Sequence, residues 1–305
     1  MSKVVKVLIS VIDLENYNVK GINQDGLKIN FKSNFSRNFE TYPDGFNYVL
    51  LDGEYVYFEK GVFSKEYIKT NKDYTAQLLY AISKLHEDIE NIETNLTLLL
   101  PISEMGHKQK YIDDLKEKEF TFEVKTSKKM KKTVKINDVL VIPEGYASYF
   151  TLDDTIKTSS VLLIDVGGRT SNVVAMDNGK PQALDTYKIG VLNFYAKLKK
   201  LNEDKEYNLE DIERLIDKGD IEVTEKQLAA FTNDIINEIK IDVNLNHYDN
   251  VIWTGGGSNV IKEIIENNLP ESCTVNAEPL YSNILGSLEV SKITWGINDG
   301  KEEKK

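Results

Sequence analysis

One pattern constrains this chain more than any other, because it occurs twice. Residues 161–178 read Val-Leu-Leu-Ile-Asp-Val-Gly-Gly-Arg-Thr-Ser-Asn-Val-Val-Ala-Met-Asp-Asn. An apolar run ends in Asp165; two glycines and a small hydroxylated pair follow, then a second apolar run. Asn178-Gly179 comes next, a pair favoured in two-residue hairpin turns. The spacing predicts strand, tight polar turn, strand. Residues 7–21 read Val-Leu-Ile-Ser-Val-Ile-Asp-Leu-Glu-Asn-Tyr-Asn-Val-Lys-Gly, with Asp25-Gly26 beyond. Aligning Asp13 with Asp165 lays Asn18 over Thr170 and brings the two turn pairs to within one residue of register. Two such units half a chain apart predict a duplicated α/β fold with a site between its halves.

The local chemistry points the same way. A buried strand that ends in aspartate leaves a carboxylate at the turn. Gly167 and Gly168 leave that turn without side chains, so backbone N–H groups can approach a phosphate while the aspartate holds a hydrated Mg²⁺. A plain β-hairpin with a glycine bulge has the same local sequence, so the motif gains weight only from its repetition.

Bulk properties narrow the class. A chain of 305 residues corresponds to about two domains. A formal net charge of −11 argues against a surface that grips nucleic acid widely, and no direct nucleic-acid contact is expected. Cys273 is the only cysteine, so no intrachain disulfide can form. His86, His107 and His247 have no ligand spacing, which argues against structural zinc. The start, Met1-Ser2-Lys3-Val4, has no signal-peptide pattern, and no apolar run reaches membrane-spanning length. The expectation is a cytoplasmic protein with no membrane partner.

Along the chain, residues 3–12 read as a buried strand, and 18–23 and 26–31 as further strands. Asp52-Gly53 centres a hairpin over 48–59. Residues 73–90 carry apolar positions at helical spacing, and 95–100 form a strand stopped by Pro101. Residues 108–119 read as a short charged helix, and 120–124 and 134–142 as strands. Between them lies the basic run Lys125-Thr126-Ser127-Lys128-Lys129-Met130-Lys131-Lys132. It is either a solvated hairpin tip or a contact for an acidic partner or nucleic acid. Glu144, in Pro143-Glu144-Gly145, either faces the cleft of Asp165 or favours a helix N-terminus. Helices are expected over 190–200 and 208–218, and Thr224 to Gln227 form a capping box. Residues 250–254 read as a strand running into Gly255-Gly256-Gly257-Ser258 and a helix over 259–268. Strand, glycines and helix start suit a nucleotide against helix N–H groups, without the P-loop pattern. A last helix is expected over 281–291, then a charged tail over 299–305.

In this order the motifs resemble the actin, Hsp70 and sugar-kinase superfamily. Within it the chain looks most like the bacterial actin-like plasmid-segregation proteins of the ParM type. Four stretches carry that resemblance: Asp13 to Gly21; Ile136-Asn137-Asp138-Val139-Leu140-Val141-Ile142-Pro143-Glu144-Gly145; Lys188-Ile189-Gly190-Val191; and Pro279-Leu280-Tyr281-Ser282-Asn283-Ile284-Leu285-Gly286. One position departs: Glu15 stands where the family has a glycine that lets the backbone approach the β-phosphate. A carboxylate there repels phosphate unless it points away or is bridged by metal or Lys20.

The resemblance implies an α/β, actin-like duplicated fold of two domains around a central nucleotide cleft. Domain I would span 1–158, with a small insertion over about 32–93, completed by 280–305. Domain II would span 159–279, with a helical insertion over about 190–246. ATP or GTP would lie in the cleft with Mg²⁺, whose waters Asp13 and Asp165 arrange. Asn16, Asn18, Lys20, Gly167, Gly168 and Thr170 would hold phosphates. Gly255, Gly256, Gly257 and Ser258 would pass the nucleoside. Glu144 and Asp165 would be the catalytic pair, Glu144 orienting the attacking water. The resemblance also implies self-assembly into filaments and a DNA-binding adaptor protein as partner.

Three other classes are weighed against the same fold. A small-molecule kinase needs larger insertions to enclose its acceptor than those available here. A scaffold that kept the fold but lost hydrolysis finds its support in Glu15. A chaperone would need a substrate domain after the nucleotide fold.

Overall fold

The computed structural model describes residues 7–296. The first residues of the earliest expected strand, 3–6, and the charged tail lie outside the described residues. In chain order the elements are β1 (Leu8–Leu14), β2 (Asn18–Asn23), β3 (Lys28–Lys32), β4 (Phe35–Ser36), β5 (Tyr48–Leu51), β6 (Glu54–Phe58), α1 (Thr75–Leu85), β7 (Asn91–Leu100), α2 (Lys108–Leu115), β8 (Glu119–Lys125), β9 (Lys129–Pro143), α3 (Asp154–Lys157), β10 (Ser160–Val166), β11 (Ser171–Asp177), β12 (Lys180–Tyr187), α4 (Val191–Leu201), α5 (Ile212–Asp217), α6 (Glu225–Ile239), β13 (Asn250–Thr254), α7 (Gly256–Val260), α8 (Lys262–Asn268), β14 (Cys273–Val275) and α9 (Ser282–Thr294).

Two sheets organise them. The larger runs β3-β2-β1-β7-β9-β8-β5-β6-β4, the smaller β12-β11-β10-β13-β14. The first five strands of the larger sheet have the topology of the whole smaller one. In each, a central strand pairs antiparallel with the next strand and parallel with a later one. The register repeats too: Asp13 faces Lys20 in the first hairpin and Asp165 faces Asn172 in the second, at the same offset along the chain. The duplication read from the sequence is therefore structural, down to the cross-strand pairs.

Local chemistry explains the turns. Asp52 and Asn178 adopt left-handed backbone, followed by Gly53 and Gly179 at positive φ. That conformation at both central residues twists a two-residue turn in the sense that matches the flanking strands. Thr224 accepts from the Gln227 N–H while Gln227 reaches back to the Thr224 N–H, so α6 starts on a closed capping box. Phe231, Ile235 and Ile239 face the core as their spacing predicts, with Leu228 half-buried at the edge.

The central strands are apolar because they are covered on both faces. β10 buries Val161, Leu162, Leu163, Ile164 and Val166 completely. Leu162 and Ile164 pack toward α4 and α6, while Val161 and Leu163 join Tyr149 and Leu152 on the other face. Each such side chain contributes roughly 1.5–3 kcal/mol relative to exposure. In the larger sheet α1 covers one face, and α9 with the 3-10 turn Ala147–Thr151 covers the other.

Two expectations need correction. The helix after Gly255 begins at Gly256, not Asn259, because the glycines themselves form its first turn. The basic run is not simply a solvated tip. The β8–β9 hairpin is present, but Lys132 is buried, and its ammonium donates to the carbonyls of His86, Glu87 and Ile89 at 2.7, 2.9 and 2.8 Å. It closes the C-terminal end of α1, where carbonyls lack intrahelical partners. Lys128 pairs with Asp88 at 2.7 Å and Lys129 with Glu123 at 3.0 Å, so local carboxylates offset the cluster.

Candidate functional site

The two aspartate turns meet at the cleft between the sheets. Asp13 is fully buried near the end of β1, and Asp165 is almost fully buried near the end of β10. The turns touch: a Cβ on Gly168 would lie 2.8 Å from the Cβ of Tyr17. Behind Asp165, Gly255 has φ +81, and a Cβ there would overlap the Asp165 carboxylate and the Val166 carbonyl. The strand–glycine junction therefore packs against the second aspartate turn with no room for a side chain.

Three buried carboxylates, a fourth at the cavity edge and two buried ammonium groups lie together. Lys69 donates to Asp13 at 2.7 Å and also pairs with Glu144. Lys20 donates to Glu15 at 2.6 Å and lies 3.8 Å from Asp13. Burial pushes Asp13 upward, but the ammonium groups of Lys69 and Lys20 outweigh it and hold its pKa below the ordinary value. Burial dominates at the other carboxylates: Glu15 and Glu144 are each pushed up to about 7, and Asp165 to about 6. Lys20 and Lys69 are raised despite burial because carboxylates surround them. A group of this kind is costly to bury and is held by mutual compensation.

Two asparagines orient the remaining oxygens. Asn172 Nδ2 donates to Glu144 at 2.9 Å, while its Oδ1 accepts from Thr186 Oγ1 at 2.8 Å. Asn283 Nδ2 donates to Asp165 at 2.9 Å. Neither asparagine, nor Lys69, is assigned a site role in the sequence reading. Asn172 had a signal, since the repeat offset carries Lys20 onto it. Lys69 lies in residues 59–74, a segment without strand or long helix, and has no local signature. That segment spans the cleft. The Phe63 N–H donates to Glu210 at 2.8 Å, the Phe63 ring lies 5.2 Å from that of Tyr17, and Arg169 donates to the Ser64 carbonyl. Lys72 on the same segment is pushed down to about 7 by burial, aided by Lys69 and Arg169.

A cavity of about 360 Å³ opens in front of this cluster, and Glu15, Asn18, Gly167, Gly168, Gly256 and Gly257 all line it. Tyr195, Glu213, Asn259 and Val260 are shared with a neighbouring cavity of about 300 Å³ whose further walls include Phe194, Ile216, Val223 and Leu228. A polar chamber thus continues into an apolar one. Asn16 and Thr170 line a small crevice beside Lys69 and Glu144, and Asn16 Oδ1 is buried without a hydrogen-bond partner. Asp13, Lys20 and Asp165 stand behind these walls. Ser258 is buried and its hydroxyl donates back to the Thr254 carbonyl. The Gly167 N–H closes its own turn onto the Thr170 carbonyl at 2.8 Å.

The duplicated sheets with a buried carboxylate pair at their junction define an actin-like fold, and solved structures agree. A filament of ParM from Clostridium botulinum superposes with a TM-score of 0.78 at 21% identity, covering 94% of this chain and 99% of that one. An archaeal actin homologue in complex with ADP gives 0.74 at 18%, covering 94% and 100%. An Alp12 filament gives 0.62 at 20%, covering 95% and 100%. No protein-family model matches the chain, and no curated protein matches it by sequence. Among the described residues no helix is long and apolar enough to cross a membrane.

Proposed function

We infer that this chain is a filament-forming actin-like ATPase or GTPase that works in the cytoplasm and segregates plasmid DNA through a DNA-bound adaptor. One observation carries the reading: the buried set of Asp13, Glu144, Asp165, Lys20 and Lys69, with Glu15 at its cavity edge, placed where two register-identical hairpins converge behind a cavity. When its carboxylates are ionised, the set has more negative than positive charge, an excess that a divalent cation offsets. Asp13 Oδ2 and Asp165 Oδ1 are buried without hydrogen-bond partners. Among the described residues no three of His, Cys, Asp and Glu are grouped to ligate a metal directly. The two unpartnered oxygens would fit Mg²⁺ held through its water shell by Asp13 and Asp165. Such an ion supplies charge neutralisation on the phosphates.

The chain's own groups then divide the work. Lys20, Asn16, Asn18 and the turn at Gly168 to Thr170 face or flank the phosphates. The apolar chamber beside Tyr195 excludes water from the base, and Gly256 and Gly257 let the nucleoside pass close to the backbone. Glu144, fixed by Asn172, accepts a hydrogen bond from water and aims it at the terminal phosphate. Orientation matters more here than taking the proton. The ParM and Alp12 neighbours are filaments by their own descriptions, which supports self-association as the use of this cleft.

Glu15 favours a second reading. Its carboxylate claims the Lys20 ammonium at 2.6 Å, leaving that cation less free to meet phosphate, as in a scaffold that does not hydrolyse. Titration with a fluorescent nucleotide and phosphate release in the purified protein separate the two. Binding with turnover on ATP or GTP is expected; binding without turnover selects the scaffold, and no binding contradicts both.

A further inference from the structure

The Asn283 side chain lies where four segments meet at the cleft floor, and it is 3% exposed. Its Oδ1 accepts from the Gly145 N–H at 2.9 Å and from Ser148 Oγ at 2.8 Å. A backbone N–H can only donate, so the amide oxygen must face Gly145 and the amide nitrogen must face the other way. That nitrogen meets Asp165 Oδ2 at 2.9 Å. The amide cannot turn over without setting N–H against N–H. One side chain thus spans from the residue after Glu144 to Asp165, two residues placed at the catalytic centre.

Its own position is fixed as tightly. Ser148 Oγ also meets Ser282 Oγ at 2.9 Å, and Ser282 Oγ reaches Thr254 Oγ1, at the residue before Gly255. One turn along α9, Gly286 presses on the Ala147 carbonyl so closely that a Cβ would overlap it. Backbone against backbone, α9 has no slack over residues 144–151. Asn283 is held in place by this crossing, and through it so is the carboxylate of Asp165.

We propose that Asn283 is a positioning residue for nucleotide hydrolysis: it fixes the angle of the Asp165 carboxylate relative to Glu144 through the α9 crossing. The proposal rests on the nucleotide-hydrolase reading above. Asn283 carries no charge and lines neither cavity, so nucleotide should still bind; what is lost is alignment, which chemistry needs and binding does not.

The test is Asn283→Ala and Ser148→Ala, measured beside the wild-type chain with Mg²⁺ and saturating ATP or GTP. Asn283→Ala is expected to slow phosphate release by about tenfold or more while the nucleotide dissociation constant stays within about threefold. Ser148→Ala removes a group that orients Asn283 and touches neither carboxylate. It is expected to slow release by roughly three- to tenfold, and the double variant no further than Asn283→Ala alone, because both act through one contact. If Asn283→Ala does not fold, Ser148→Ala carries the test. Wild-type turnover in the variants overturns the proposal, as does a loss of affinity in step with the loss of rate, which would make Asn283 part of the scaffold only. A wild-type chain that binds nucleotide without turnover, or binds none, overturns the hydrolase reading itself, a different result from wild-type turnover matched by its variants.

Discussion

Lys20 lies between two carboxylates, 2.6 Å from Glu15 and 3.8 Å from Asp13, and this pairing decides what Glu15 does. The side chain faces the cavity and is bridged by lysine, one of the arrangements under which a carboxylate is tolerated in a phosphate turn. Glu15→Gly leaves Lys20 its contact with Asp13, frees the ammonium for phosphate and removes a like charge. Nucleotide binding should tighten by on the order of tenfold, about 1.4 kcal/mol; titration with a fluorescent nucleotide checks it, and weaker binding would mean that Glu15 builds the site. At Glu144 the expectation is a loss of chemistry without a loss of binding. Glu144→Ala should slow phosphate release on the order of ten- to a thousand-fold, ~1.4–4 kcal/mol of barrier, and its filaments should outlast wild-type ones in a sedimentation time course. Asp165→Ala, which removes a charge proposed to hold Mg²⁺, should lose binding and assembly together; wild-type hydrolysis in Glu144→Ala removes that residue from the mechanism. Asp13 and Asp165 were legible in the sequence because each interrupts an apolar run and the pattern repeats; Glu144 suited a helix N-terminus as well as the cleft, and only the resemblance pointed it to the site. Lys69 and Asn283 were not, since each meets the cluster only when distant segments converge; Asn172 was marked only by the repeat offset that carries Lys20 onto it.

At the scale of elements, the basic hairpin shows where charge counting stops. Its lysines look alike in the sequence, yet Lys132 is buried on three carbonyls at the end of α1 while Lys128 and Lys129 lie half-exposed beside carboxylates. Lys132→Ala removes the ammonium from those carbonyls, of which only that of His86 keeps a second donor, the Ile89 N–H, and should cost about 2–3 kcal/mol of stability in urea unfolding. Lys128→Ser, at a surface pair, should cost less than about 1 kcal/mol. Equal effects would contradict the capping role. Other elements were readable because local rules and tertiary packing agree. Thr224 to Gln227 predict the start of α6, and Asp52-Gly53 and Asn178-Gly179 predict their turns. The start of α7 lies earlier than expected because glycines have low helix propensity; close packing of Gly255 on Asp165 and Val166 and of Gly257 on Val166, not sequence preference, accompanies the first turn at Gly256 and Gly257.

For the whole molecule, the shared topology of β3-β2-β1-β7-β9 and β12-β11-β10-β13-β14 is the main result. It brings two aspartates from equivalent places in two sheets to one cleft. In the proposed reading the ligand lies between the two sheets' turns, where it can change how they sit and hence the surface offered to a neighbour. A head-to-tail contact between copies does not close on itself, so open polymers are the expected product. In the proposed reading, nucleotide and Mg²⁺ in this cleft drive assembly. Sedimentation of the purified chain across a concentration series, with and without Mg²⁺ and ATP or GTP, tests it most directly. Pelleted polymer that appears above a critical concentration only with Mg²⁺ and nucleotide is the expected result; a chain that stays in the supernatant at every concentration with either nucleotide contradicts it.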